Sequence, residues 1–358
     1  MRGVDVRVIN RRMLLMTAPF LGALLFLLLH QPEVRLPGSA APVPAAPKDT
    51  SGQVQAIGTG FDQAKTSAVH TAGSIQKAAA LYSQSSQRMN AIAGMARSQS
   101  GRPLAVYDRR ISIPLGSPSE TIQTDKLTAQ LYFIKAQNFN GYALKVRLKQ
   151  EGAMKLAIGG DKPGRAETTL AAVKRYNAVA GINAGGFADD GSGRRYPLST
   201  TVMEGKYIGG FEPSYKDLFF VGLNKERKLI GGKYSSREQL DRENPEFGVS
   251  FVPVLMKGGI AQPIPLKWQL SPLRAPRTVV ANYKDDQLLF IVVDGYNEAG
   301  SSGATLGEMQ ILLSRFKAVD GYNLDGGGSS TLVFNGRIVN HPSDKKLRPL
   351  ATNFLFFS

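Results

Sequence analysis

Asp320-Gly-Tyr-Asn-Leu-Asp-Gly-Gly-Gly-Ser-Ser-Thr-Leu-Val-Phe-Asn-Gly-Arg-Ile-Val-Asn-His-Pro-Ser-Asp344 is the most informative stretch of this chain. A short apolar run ends in a carboxylate, Asp325, and Gly326, Gly327 and Gly328 follow at once. Glycine reaches positive φ and lets a ligand approach the backbone without a Cβ in the way. Successive N–H groups in such a turn can form a concave anion site. Residues 331–334 then read as a strand, Asn335-Gly336 as a tight turn and residues 337–340 as the returning strand. A carboxylate beside an anion-accepting loop suits cleavage of a bond next to a phosphate. The competing reading is a turn whose Asp caps backbone N–H groups.

Upstream, Leu288-Leu-Phe-Ile-Val-Val293 is a strand of the buried type that ends in Asp294-Gly295. Residues 305–316 read as a helix, and Thr305-x-x-Glu308 has the form of a capping box. A helix N-terminus is also electropositive, so Glu308 can stay ionised there while facing a substrate. Arg277, at the entry of an expected strand over 278–283, suits bidentate contact with phosphate. The turn Asn183-Ala-Gly-Gly-Phe187 offers an amide and an approachable backbone. It lacks dinucleotide-loop spacing, and no phosphate-binding P-loop motif occurs in the chain.

Further strands are expected at 105–114, 129–135, 142–148, 155–158, 179–182, 200–203, 218–223, 287–293 and 352–357, with a helix over 166–176. Strands outnumber isolated helices, which predicts an α+β domain around a mostly antiparallel or mixed sheet.

The 358 residues contain no cysteine, excluding disulfides, thiolate catalysis and Cys-ligated zinc. Histidine occurs only at 30, 70 and 341, so acid–base chemistry falls mainly to carboxylates. The net charge of +16 is scattered, without a basic face interleaved with aromatics, which argues against nucleic acid as partner. Anionic envelope polymers or lipid head groups account for it more simply.

Residues 13–29 are uncharged and follow Arg2, Arg7, Arg11 and Arg12, the pattern of an uncleaved signal anchor with its basic end in the cytoplasm, with a signal peptide cleaved at weak small-residue sites near 39–41 or 45–46 as the alternative. The anchor places the chain in the cytoplasmic membrane as a single-pass protein with its domain on the extracytoplasmic side. Residues 32–47 read as a Pro/Ala linker. Between 50 and 100, Phe61, Ala68, Ile75, Tyr82, Met89 and Ala96 recur every seven residues, with Ala64, Ala78 and Ile92 three positions later. Thr71 and Ser85 interrupt that second row, leaving open a self-associating stalk over 61–96 or a solitary or disordered linker. The expected organisation is a cytoplasmic tip and anchor over 1–30, linker and stalk over 31–102, and a domain over 103–358.

The segments Ala180-Gly-Ile-Asn-Ala-Gly-Gly-Phe187, Ala275-Pro-Arg-Thr278, Val293-Asp-Gly295, Thr305-Leu-Gly-Glu308, Tyr322-Asn-Leu-Asp-Gly-Gly-Gly-Ser-Ser330, Asn340-x-Pro-Ser-Asp344 and Arg348-Pro349 resemble, in this order, the phosphodiester glycosidases. The resemblance spans roughly 128–357 and implies hydrolysis of a sugar-1-phosphodiester, such as a phosphorylated sugar or envelope glycan. It implies Asp294, Glu308 and Asp325 as site carboxylates, with Arg277 and the Gly326, Gly327 and Gly328 amides on the phosphate. Asn183 and Asn340 would line the pocket, and Gly185, Gly186, Ser329 and Arg348 would complete the substrate contacts. Ala184 inside the first turn, and Ser199–Thr200 where a glycine is usual, depart from the family pattern and bear on substrate shape. No cofactor is required, although convergent carboxylates leave room for Ca²⁺ or Mg²⁺. A non-catalytic phosphoglycan-binding module and a metal-dependent phosphodiesterase or phosphatase stay open as alternatives.

Overall fold

The structure, a computed structural model, describes residues 51–296 and 302–358. The expected anchor over 13–29 and linker over 32–47 lie outside the described residues. Among the described residues, no helix is long and apolar enough to cross a membrane. The chain divides into two compact units, one ending at Asn90 and one running from Ala91 to Ser358.

Helix α1 (Ser51–Ser112) makes the described stalk helical. Strands β1 (Glu120–Gln123), β2 (Leu127–Lys135), β3 (Asn140–Leu148) and β4 (Met154–Ile158) precede α2 (Thr169–Arg175). Strands β5 (Ala180–Asn183), β6 (Phe187–Asp189), β7 (Arg195–Pro197), β8 (Thr201–Met203), β9 (Lys206–Ile208), β10 (Phe219–Asn224) and β11 (Leu229–Gly232) lead to α3 (Arg237–Asp241). Then come β12 (Pro245–Phe251), β13 (Val254–Lys257), β14 (Ile260–Ala261), α4 (Leu266–Leu270), β15 (Arg277–Asn282) and β16 (Leu288–Val293). Helix α5 (Leu306–Arg315), β17 (Gly321–Leu324), β18 (Leu332–Phe334), β19 (Arg337–Ile338) and β20 (Thr352–Phe356) complete the second unit.

The large sheet runs β1-β2-β3-β16-β15-β17-β13-β14. Two smaller sheets run β11-β10-β12-β8-β9 and β19-β18-β5-β20-β4, and β6 and β7 form a separate hairpin. All these pairings are antiparallel, so the fold is α+β with antiparallel sheets and few helices.

Strand β16 explains why its sequence is apolar without interruption. Leu288, Phe290 and Val292 face a core shared with Phe219, Phe247, Ile182 and Phe354 of the smaller sheets. Leu289, Ile291 and Val293 face the opposite core, with Leu306, Met309 and Leu313 of α5. A strand alternates its side chains between two faces, and here both faces are buried. Each such side chain contributes about 1.5–3 kcal/mol relative to exposure.

Strands β10 and β12 approach closely where Gly222 faces Gly248. A Cβ on Gly222 would lie 1.9 Å from the Phe247 carbonyl oxygen, a backbone atom that cannot swing aside. Gly222→Ala is therefore expected to destabilise the domain by about 3 kcal/mol, the upper end for overpacking. The urea midpoint measures this, and an unchanged midpoint would contradict the close approach.

The strand expected over 105–114 is instead the last turns of α1, followed by a 3-10 turn, Ile113–Leu115. The apolar residues there alternate in sequence, yet Tyr107, Ile111 and Leu115 are four apart and pack together on the α5 side of the large sheet. Asp108 and Ser112 share another helix face and both bond the buried Lys145 Nζ, at 3.0 and 2.6 Å. The helical period wins because both rows find partners. Pro103, the expected domain start, stands inside the helix, and the compact unit begins at Ala91.

Candidate active site

Strand register gathers the strand-end residues. In the large sheet Arg277 lies opposite Val293, and Thr278 lies opposite both Val292 and Leu324. The start of β15 and the ends of β16 and β17 thus share one edge, placing Arg277, Asp294 and Asp325 on neighbouring strands. The end of β5 meets them there: the Asp325 N–H donates to the Ala184 carbonyl at 3.2 Å, and Asn183 Nδ2 donates to the Asp325 carbonyl at 2.6 Å.

The Asp325 carboxylate takes the Gly326 N–H on Oδ1 at 3.0 Å. Its Oδ2 is buried without a hydrogen-bond partner of ordinary geometry. Burial pushes the carboxyl up to about 6 despite the nearby Ser329 hydroxyl and the Arg348 and Arg195 guanidinium groups. The residue is half-buried with Oδ2 covered, and a carboxyl titrating there suits proton transfer near neutral pH.

Asp294 is 1 % exposed and holds the loop after β19. Its Oδ1 accepts from the His341 N–H at 2.8 Å and from Asn340 Nδ2 at 3.2 Å, and its Oδ2 faces His341 Nδ1 at 3.1 Å. Burial raises its pKa, opposed by these donors. The His341 side chain is 58 % exposed, so a buried carboxylate orients an imidazole open to solvent. That pairing joins residues 47 apart.

Glu308 is engaged at both oxygens. Oε2 accepts the Thr305 N–H at 2.8 Å, completing the capping box, and Oε1 takes Arg274 at 2.7 Å. Burial would raise its pKa, but Arg274 and the cap together hold it below the usual range. Arg274 also donates to the Gly303 carbonyl. Arg277 is 7 % exposed and donates to the Ala304 and Pro272 carbonyls at 3.0 and 2.8 Å. No carboxylate among the described residues forms an ion pair with it, and burial lowers its pKa. A buried guanidinium whose partners among the described residues are neutral carbonyls is suited to an anion.

Two of the three amides expected to cradle a phosphate, those of Gly326 and Gly327, are already engaged. The Gly326 N–H is taken by Asp325 and the Gly327 N–H by the Pro276 carbonyl, so these two do not face a ligand. Ser329 and Ser330 likewise donate back to Gly326 and Gly327. The glycines also serve geometry. Gly327 has φ +60, and a Cβ on Gly328 would lie 2.2 Å from Arg348 Nη2 and 2.3 Å from Asp344 Oδ1. The Arg348–Asp344 ion pair lies over Gly328, with Arg348 also 3.4 Å from Ser329 Oγ.

Gly185 and Gly186 are also packing positions, since a Cβ would strike Val249 or Phe251, and their N–H groups bond Thr352 and Ser250. Asn183 and Asn340, expected on the pocket wall, are buried pins. Asn183 Oδ1 accepts from Thr278 and Thr331, while Asn340 Oδ1 accepts from Leu332 and its Nδ2 donates to Ser330. Sequence reasoning missed Arg195, Arg274 and Thr278, and left Asp344 without a role. Their places depend on contacts distant in sequence, which no local pattern encodes. Among the described residues, no group of three His, Cys, Asp or Glu side chains could hold a metal ion.

A family model for phosphodiester glycosidases matches residues 176–357, about half of the chain. The chain belongs to that family. The bovine N-acetylglucosamine-1-phosphodiester alpha-N-acetylglucosaminidase is 31% identical over 137 residues, covering 34% of this chain and 26% of that protein. The SPbeta prophage-derived uncharacterized protein YomE of Bacillus subtilis (strain 168) is 27% identical over 180 residues, covering 50% of this chain and 28% of that one. The matches thus span about a quarter of the length of these relatives. In fold, the chain is similar to the zebrafish N-acetylglucosamine-1-phosphodiester alpha-N-acetylglucosaminidase catalytic domain, auto-inhibited by its pro-peptide, with TM-score 0.53 and 21% identity. That likeness covers 67% of this chain and 88% of the zebrafish chain.

Proposed function

We propose that this chain hydrolyses the sugar–phosphate bond of sugar-1-phosphodiesters, acting on envelope glycan or exopolysaccharide outside the cytoplasmic membrane from a single-pass anchor at residues 13–29. The observation carrying the hydrolytic reading is the Asp325 carboxyl, with one buried unpartnered oxygen and a pKa near 6, on the sheet edge beside Arg277. Family membership supports the same reaction class.

In this reading, water attacks the anomeric carbon through an oxocarbenium-like transition state. The C–O bond breaks with its electron pair going to the phosphate oxygen, and the proton of water passes to ionised Asp325. Arg277 neutralises charge on the departing phosphomonoester. Asp294 orients His341, whose exposed imidazole meets the substrate, and Glu308 keeps Arg274 and the start of α5 in place. No cofactor is required by this route.

The test incubates the purified chain with an alkyl phosphodiester of N-acetylglucosamine and other sugars, with and without EDTA, and follows products by NMR. Free sugar and phosphomonoester in equal amounts, unaffected by EDTA, are expected. Binding without product across the panel would overturn the hydrolase reading, and loss of turnover with EDTA would favour a metal-dependent phosphodiesterase. Because Asp325 acts as a base, kcat/KM should rise with pH to a plateau with an apparent pKa near 6. A flat profile between pH 5 and about 8 would remove Asp325 from that role.

A further inference from the structure

An extended apolar row without a described partner lies on helix α1, outside the candidate site. Val54, Ile57, Phe61, Ile75, Tyr82, Met89 and Ile92 are each at least 60% exposed. They occupy the first and fourth places of an unbroken seven-residue register, in which Ala64, Ala68, Thr71, Ala78 and Ser85 fill the remaining places between them. The other large exposed apolar residues of this span, Val69 and Leu81, fall outside it.

The period identifies the kind of partner. On a straight α-helix a seven-residue repeat drifts by about 20° per repeat, or roughly 100° from Val54 to Met89. A flat apolar surface, such as a bilayer, would meet the two ends of this row at different depths. A second helix winding left-handed around the first keeps it covered throughout. Large residues alternating with Ala, Thr and Ser supply the knobs and close-contact places of such a seam.

The helix also needs that contact. Gly52, Gly58, Gly60 and Gly73 stand inside it with open space around them, and each costs about 1 kcal/mol relative to Ala. Only Asp62, Lys65, Lys77 and Arg88 are charged between residues 51 and 90, so little repels a like helix. Within the described chain the next longest helix is α5, with 10 residues, too short to cover a row that spans 54–92. We propose that the occupant is the same helix of a second copy, and that the protein pairs through this row as a two-stranded coiled coil.

The experiment uses the full chain in mild detergent and is independent of hydrolysis, so its outcome does not decide the proposed activity. Sedimentation should give twice the chain mass once bound detergent is subtracted. A Phe61→Glu, Ile75→Glu, Tyr82→Glu triple variant should give a single copy with the melting of the domain unchanged. The chain has no cysteine, so single reporters are free of background. Under mild oxidation, Ile75→Cys should form disulfide-linked dimers at least tenfold more than Ala80→Cys, which lies across the helix. A one-copy wild-type mass, equal cross-linking at 75 and 80, or a triple variant still at two copies would overturn the pairing. A one-copy protein whose α1 binds lipid vesicles would replace it with a membrane-surface role.

Discussion

Asp325→Asn is expected to lower hydrolysis by orders of magnitude while making the protein more stable at neutral pH. The catalytic loss should be roughly 10²- to 10⁴-fold, the usual contribution of a positioned acid–base group. The stability gain follows from the raised pKa. Asp325 titrates at about 6 in the fold against an ordinary 3.8, so the folded protein holds this proton more tightly than the unfolded chain. Its favourable contribution is fully present below about pH 4 and is lost as pH rises through about 6. At pH 7 and above the buried charge costs about 3 kcal/mol. Asparagine removes that charge and keeps an oxygen for the Gly326 N–H. Thermal melts should therefore show Asp325→Asn above wild type at pH 8, with the difference vanishing near pH 4. A variant that keeps full turnover would sink the catalytic assignment. One that melts alike at both pH values would show that the carboxyl is not buried as described.

These two effects in one residue are a usual mark of function. A carboxylate held where its charge is unfavourable is costly to the fold and useful to chemistry. Glu308 is the opposite case. Arg274 and the cap of α5 favour its charged form, so its ionisation supports the fold. The sequence pattern Thr305-x-x-Glu308 carried both readings, and the contacts favour the structural one for its side-chain oxygens.

The features legible in the sequence are those with a local chemical pattern. The continuous apolar run at 288–293 marked a strand buried on both faces, and Asp294 and Asp325 were visible as carboxylates immediately after strands. The Asn335-Gly336 turn and the α5 cap also have local chemical signatures. Strand β12 was not visible, because Pro245 and Gly248 interrupt its pattern; Gly248 is required by the neighbouring strand rather than by its own segment. The glycine run after Asp325 was legible as a special backbone, but its purpose was not. Room for Arg348 and Asp344 depends on a loop that returns some twenty residues later. Arg195 and Arg274 carry no local mark at all. They enter the site's surroundings only when the hairpin β6–β7 and the start of α5 are placed.

Asp294→Ala should produce the largest loss of stability among the site residues. The carboxylate is the acceptor for the His341 N–H and for Asn340 Nδ2, and both donors would stay buried or half-buried without it. Leaving these two donors without their acceptor costs about 1–3 kcal/mol each. For a domain of this size that is a fall in Tm of about 10 °C. Asp294→Asn separates packing from orientation. Its amide oxygen can still accept both donors, so the melting temperature should stay within a few degrees of wild type. Its nitrogen can only donate to His341 Nδ1, which fixes the imidazole proton on Nε2. In the proposed hydrolysis, Asp294→Asn should therefore lower kcat more than it raises KM, and His341→Ala should reproduce that kinetic effect without the loss of stability. If Asp294→Ala melts like wild type, the loop after β19 is not held as described. If Asp294→Asn retains full kcat, the Asp294–His341 pair belongs to the architecture of the loop and not to the chemistry.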